Sequence, residues 1–250
     1  MIPIATDREA AARPSLRFGI RTLLLLVGVC GAILLPASLR FRARVLERSA
    51  VEQLEAQRVM VGYHAKDASG KPSHWRSHFA PCVRSVFCPH GAAPKVLPES
   101  LHLLRRFTAA EYFHLQGVRV NDEHVSEWSN LRKLISLDLN FSHVTNRALP
   151  TLAALPKLEV LGLTHTRIDD QGAAILSTSR SLKKLYLEGT KLSDTGLLLL
   201  ARLPAFEELS VTVGQGVSEQ GIERLRRARP ELDVRVNPPN PFPAAWAVPP

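Results

Sequence analysis

The chain has 250 residues, 45% hydrophobic and 22% charged, with 32 Lys and Arg against 23 Asp and Glu for a net charge of +9. These fractions exclude a wholly disordered chain, and the length is enough to bury a core in one or two domains. The basic excess would suit nucleic acid or acidic lipid. No nucleic-acid recognition motif accompanies it, however, and many of the arginines flank one apolar segment, so nucleic acid is not expected as a partner.

Residues 1–21 form a basic N-terminal tail in which Arg8, Arg13, Arg17 and Arg21 lead up to that segment. From Thr22 to Leu39 the chain reads TLLLLVGVCGAILLPASL, 18 residues without a charge. As a helix this run spans about 27 Å, enough to cross the hydrocarbon core of a bilayer. Gly28, Gly31 and Pro36 disfavour a soluble helix but are tolerated in a membrane. Pro36-Ala37-Ser38 is a poor signal-peptidase site, and Cys30 lies mid-segment after Val29, unlike a lipoprotein cysteine. An uncleaved single-pass transmembrane helix at 22–39 is therefore expected, with the lipid bilayer as a partner and the membrane as the location. Arg40, Arg42, Arg44 and Arg48 follow it, so four arginines stand on each flank and the positive-inside rule selects no side for the remainder.

Residues 40–63 read as a juxtamembrane helix and a capping strand. Ser49 with Glu52 fits a capping box, which predicts that a second helix begins at Ala50 after a short break. Val59-Met60-Val61-Gly62-Tyr63 then has strand-like composition. Residues 64–109 read as irregular, punctuated by Gly70, Pro72, Pro81, Pro89 and Pro94. This stretch gathers His74, His78, Cys82, Cys88 and His90. The first three would share a helical face, but Pro81 interrupts that helix and Cys-x5-Cys matches no common zinc spacing, so no metal site is expected. Cys82 and Cys88 pair in an oxidising compartment or stay as thiols in a reducing one; the sequence leaves both open.

From 110 to 236 the sequence repeats itself. Leu134, Leu137 and Leu139 recur as Leu158, Leu161 and Leu163, then as Leu182, Leu185 and Leu187, a period of 24. The same step carries Ser142 to Thr166 and Thr190, Val144 to Ile168 and Leu192, Asn146 to Asp170 and Asp194, and Ala148 to Gly172 and Gly196. An imperfect earlier copy includes Phe113, Leu115, Val118, Val120 and Asp122; a later one, with one residue inserted, includes Phe206, Leu209, Val211, Val217, Glu219 and Gly221. Two leucines spaced by two face the same side of a strand, while Leu197, Leu200 and Leu203 follow the helical spacing and end at Pro204. Each repeat is thus one strand plus one helix, and Asp170 and Asp194 are expected to cap their own helices. One repeat buries too little to fold alone, so neighbours must stack through a parallel sheet, with covers at both ends. Leu232-Asp233-Val234-Arg235-Val236 alternates and predicts the last strand. The tail at 237–250 carries six prolines, with Phe242 and Trp246 as its large apolar residues, and reads as extended and disordered.

Where LxxLxL is followed by a Thr, an aliphatic, an Asp and a Gly, the sequence resembles the leucine-rich-repeat family. The match is to a short bacterial subclass written LxxLxLxxTxIxDxGL, a relative of the cysteine-containing repeats. Thr166 and Thr190 stand where those relatives carry Cys or Asn. FGIRTLLLLV is similar to the anchor of small bacterial membrane proteins that carry such repeats. The resemblance implies an α/β fold: a short solenoid with a parallel sheet on the concave face and helices on the convex face, preceded by the membrane helix.

The periodicity also names the residues that face outward on the sheet, for about five strands. They are Tyr112, His114 and Gln116; Ser136, Asp138 and Asn140; Val160, Gly162 and Thr164; Lys184, Tyr186 and Glu188; and Glu208, Ser210 and Thr212. Tyrosines among mixed charges and small polar groups suit a protein-binding surface. The chain contains no GxSxG, GxxxxGK, HExxH or Cys-x-x-Cys, so neither catalysis nor a cofactor is expected. The expected function is a membrane-anchored adaptor for a protein partner. The alternative is a structural or envelope-associated protein with no specific partner on the repeat face.

Overall fold

The computed structural model describes residues 42–43, 45–62, 83–88, 96–214 and 216–238. Nearly all of them belong to one compact unit, Arg44–Pro250; of the other, Met1–Ala43, only residues 42 and 43 are described. The expected membrane helix at 22–39, the group His74, His78, Cys82 and His90, and the tail beyond 238 lie outside the described residues. Among those described, no helix is long and apolar enough to cross a membrane.

The first element, α1, is helical over residues 45–55 and buries Ala50, Val51 and Leu54 along one face. It runs through Ser49 without the expected restart at Ala50. Inside a continuous helix the Ser49 hydroxyl accepts from Gln53 Nε2 at 3.5 Å, and Arg48 pairs with Glu52 at 3.3 Å across one turn. The Arg, Glu, Leu and Gln run favours helix throughout, so these side chains bond each other and the capping box does not form.

Eight strands then form one sheet in sequence order: β1 Met60–Gly62, β2 Ser85–Phe87, β3 Tyr112–His114, β4 Ser136–Asp138, β5 Val160–Gly162, β6 Lys184–Tyr186, β7 Glu208–Thr212 and β8 Asp233–Asn237. β1 pairs antiparallel with β2 and every later pair is parallel. β3 to β7 are the five expected repeat strands, β1 and β8 fall where the capping and last strands are expected, and β2 is additional. The stretch assigned as irregular contributes β2, together with α2 at Pro98–Leu101 and the 3-10 helix His102–Arg106 that continues it. Three residues, Ser85-Val86-Phe87, are too few to show an alternation, and the step to the next coil is 27 (Ser85 to Tyr112), which hides them from a 24-residue comparison.

The convex side carries α3 Asp122–Ser126, α4 Leu149–Ala153, α5 Asp170–Leu176, α6 Asp194–Leu200 and α7 Glu219–Ala228. Between the sheet and these helices the aliphatic positions stack in columns. The middle strand residues Val61, Val86, Phe113, Leu137, Leu161, Leu185, Leu209 and Val234 form one; on the helix side Leu101, Val125, Leu149, Ala173, Leu197 and Ile222 recur in the same core. Trp128 takes a leucine's place in the first full coil, edge-on to Phe113 at 5.8 Å between ring centres. Apolar side chains thus bury against equivalents one coil away, which gives stability only once several coils exist.

The helix N-termini are joined by a polar ladder. The N-caps are Asn121, Thr145, Asp169, Ser193 and Ser218, each accepting from an amide of its own first turn. Asp170 and Asp194, expected to cap their own helices, instead reach to the next coil's cap. Asp122 accepts from the Thr145 amide at 2.8 Å and its hydroxyl at 2.6 Å. Asp170 does the same for Ser193 and Asp194 for Ser218. In the one coil whose cap is a carboxylate, Asp169, the reaching residue is the amide Asn146: its Nδ2 donates to Asp169 Oδ1 at 2.6 Å and its Oδ1 accepts from the Asp169 amide. That bond holds the Asp169 carboxyl below its ordinary pKa, as the Ser218 hydroxyl and amide do for Asp194.

At the far end α7 and β8 close the core, tied down by Arg229. Its guanidinium donates to the carbonyls of Ala201 at 2.7 Å, Leu203 at 2.8 Å and Phe206 at 3.4 Å. The predicted last strand is β8.

Candidate interaction surfaces on the sheet

Strand pairing sets the outward side chains in two rows. One runs Met60, Phe87, His114, Asp138, Gly162, Tyr186, Ser210, Arg235; the other runs Gly62, Ser85, Tyr112, Ser136, Val160, Lys184, Glu208, Asp233. All the expected surface residues lie on or just after these strands, but they divide into two groups.

Toward the C-terminal end the groups satisfy one another. Glu208, expected to face outward, has a side chain only 6% exposed: Lys184 Nζ and Arg235 Nη1 each approach it at 2.9 Å, and the Tyr186 hydroxyl donates to it at 3.3 Å. Glu208 raises the pKa of Lys184; for Arg235 the Asp233 hydrogen bond is the larger cause and Glu208 adds to it. Burial first, then Glu208, pushes the Tyr186 phenol up. Ser210, also expected to face outward, is 2% exposed and donates to Glu188, which also accepts from Thr164 Oγ1 and from Asn237 Nδ2 at 2.9 Å. Asn140 lies over Gly162, its Oδ1 accepting from the Thr164 amide at 2.7 Å. Glu208 and Ser210 are covered because β8 adds a strand beyond β7 and brings Arg235 and Asn237 beside them. Alternation over 232–236 predicts the strand but not that Arg235 and Asn237 lie beside Glu208 and Ser210.

Toward the N-terminal end the face is apolar and open. Met60 is 55% and Phe87 38% exposed, neighbours across β1 and β2. Phe87 sets its ring edge-on to His114 at 6.1 Å, and Tyr112 lies on the same strand as His114, half-buried. Met60 and Phe87 are not among the expected surface residues, because the 24-residue period reaches neither β2 nor the antiparallel β1. Behind them Cys88 is a buried free thiol whose pKa burial raises. Among the described residues no group of three His, Cys, Asp or Glu is placed to hold a metal ion.

A second feature follows the strands. Gly117, Phe141, His165 and Gly189, one per coil at a 24-residue step, all have φ between 55° and 74°. The first three donate their amides to the next coil, to the carbonyls of Asn140, Thr164 and Glu188. Two non-glycine residues hold this left-handed conformation with their rings stacked, 4.8 Å apart and inclined at 22°. The His165 ring continues over Gly189, where a Cβ would lie 2.5 Å from it. Beyond Gly189 a pocket of about 230 Å³ opens, lined by His165, Leu187, Gly189, Thr190, Leu192, Val211, Thr212, Val213, Gly214 and Val217. Thr212 is the one expected surface residue in it.

The Leucine Rich repeat family model matches residues 178–201, the coil that holds β6 and α6. That match and the stacked strand-and-helix coils support a leucine-rich-repeat solenoid. No curated protein sequence matches the chain. Among similar solved structures is Leiomodin-1 Actin-Binding Site 2 (ABS2), 16% identical with a TM-score of 0.39, over 46% of this chain and 76% of that one.

Proposed function

We propose that the chain is a membrane-anchored protein-interaction module of the short, 24-residue bacterial leucine-rich-repeat type, which meets its partner through the N-terminal part of the sheet. Stacked repeats present extended binding surfaces, and what they bind is decided by the side chains displayed there. The observation that carries the reading is the row Met60, Phe87 and His114, apolar and aromatic side chains left open on a face whose other end is internally paired. Exposed aromatic and Met side chains are the kind that anchor interfaces, whereas ion pairs already satisfied within one molecule contribute little to a new contact. The anchor rests on the uncharged 18-residue run at 22–39.

Affinity capture with the full-length chain tests the partner: Phe87→Ala with Met60→Ser should lose the proteins retained by the wild type, while Tyr186→Phe should keep them. Unchanged capture by the first variant would remove the N-terminal patch from consideration. For the anchor, the chain should stay with membranes in alkaline carbonate and be released when 22–39 is deleted. Release of the intact chain by carbonate would refute it.

A further inference from the structure

We infer that the pocket beyond Gly189 is the seat of the chain's own Phe242. The walls contributed by Leu187, Leu192, Val211 and Val217 are aliphatic, and the volume of about 230 Å³ exceeds the roughly 150 Å³ at which an apolar protein cavity takes up a benzene ring. The pocket therefore suits a phenyl group better than a charged or strongly polar ligand.

The end of β8 points to the occupant. β8 pairs with β7 as far as Thr212 with Asn237, and Thr212 is a pocket wall. The Asn237 amide is fixed to Glu188 at 2.9 Å and to Ser210 at 3.0 Å, and Glu188 immediately precedes Gly189. β8 thus ends beside a wall of the pocket. The sequence that follows is Pro238-Pro239-Asn240-Pro241-Phe242-Pro243. Proline cannot donate to a strand ladder, and a polyproline helix rises about 3.1 Å per residue. Phe242, five residues past Asn237, has a reach of roughly 15 Å, sufficient to fold back on the adjacent strand ends. Flanking prolines also reduce the entropy lost when the ring docks.

Hydrogen exchange of the purified full-length chain in detergent, read by peptide mass, tests this assignment. Phe242→Ala should speed exchange across 187–192 and 211–217 by about ten-fold, the effect of losing one buried ring, with 134–163 unchanged. Trp246→Ala should leave all three regions as in the wild type. The assignment is overturned if Phe242→Ala changes nothing, if only Trp246→Ala has the effect, or if exchange at 134–163 rises equally, which would mean a general loss of stability.

Discussion

The Asp194 carboxylate accepts both hydrogen-bonding groups of Ser218, the amide at 2.7 Å and the hydroxyl at 2.6 Å, and so joins the start of one helix to the cap of the next. The rule is one carboxylate per rung, because two facing carboxylates would repel and leave a donor site unfilled. Asn146 opposite Asp169 obeys it with the amide on the other side. Asn146→Asp should therefore destabilise the domain by about 1–3 kcal/mol, lowering the melting temperature by several degrees. Adding Asp169→Ser recreates the Asp170 and Ser193 arrangement and should recover most of the loss. A calorimetric melt in which the double variant is no better than the single one would refute the rung rule.

Gly196 illustrates a conflict between helix propensity and close approach. Glycine to alanine inside a helix ordinarily gains up to about 1 kcal/mol. Here an added Cβ would lie 2.3 Å from Asp170 Oδ1 and 2.5 Å from Leu192 Cδ1. Gly196→Ala should accordingly lose about 1–3 kcal/mol in urea unfolding. In the coil that carries Ala148 at this place, the first turn is a 3-10 helix, Asn146–Ala148. A stabilised Gly196→Ala would show the contact to be softer than the geometry says.

The left-handed column makes a prediction about His165. Its backbone conformation costs a non-glycine residue about 1–2 kcal/mol, and the stack on Phe141 returns roughly 0.5–1.5 kcal/mol. His165→Gly, which loses both terms, should stay within about 1 kcal/mol of the wild type. His165→Val keeps the strain without the stack and should be clearly less stable by urea midpoint. Equal midpoints for the two variants would contradict this.

Acid should weaken the domain by forcing a charge onto histidines that fold neutral. His124 is 4% exposed; its Nδ1 accepts from the Asn121 amide at 3.1 Å and its Nε2 lies 3.1 Å from the Pro98 carbonyl, a pairing that requires the neutral ring. Burial, and then His102, lower its pKa from 6.5, against the opposing effects of Pro98, Glu127 and Glu123. His143 is lowered too, by burial and then by Arg119 and Arg167. A depressed histidine contributes stability that is complete above the unfolded value of 6.5 and declines as the pH falls through the folded one. The melting temperature should therefore drop from pH 7 to pH 5, and less steeply in His124→Gln with His143→Gln. A melting temperature that rises toward pH 5 would contradict the sign.

What the sequence made legible was whatever recurs. Leu137, Leu161 and Leu185 declared strand, side and neighbour at once, because a buried column requires the same residue type at the same step. β2, and Phe87 with it, was hidden because its coil is 27 residues long; Met60 lies on the expected capping strand, but its antiparallel place beside Phe87 follows from no spacing. The capping roles of Asp169 and Asp170 were interchanged because adjacent carboxylates at a helix start look alike until the next coil's donor is placed. Nor could burial of Glu208 be read from spacing, since it depends on Arg235 arriving from a strand 25 residues later.

The 25-residue step between β7 and β8, against 24 from β3 to β7, has a wider bearing. A surplus residue within a strand or helix would throw every later aliphatic out of line; it falls instead between Val211 and Val217, where Gly214 and Val217 exchange backbone hydrogen bonds. Hollows in such a chain should then arise at miscounts. In a sequence built on this plan, coil lengths measured before any side chain is compared would show where a cavity can exist, and one with 24 residues here should have this cavity shut.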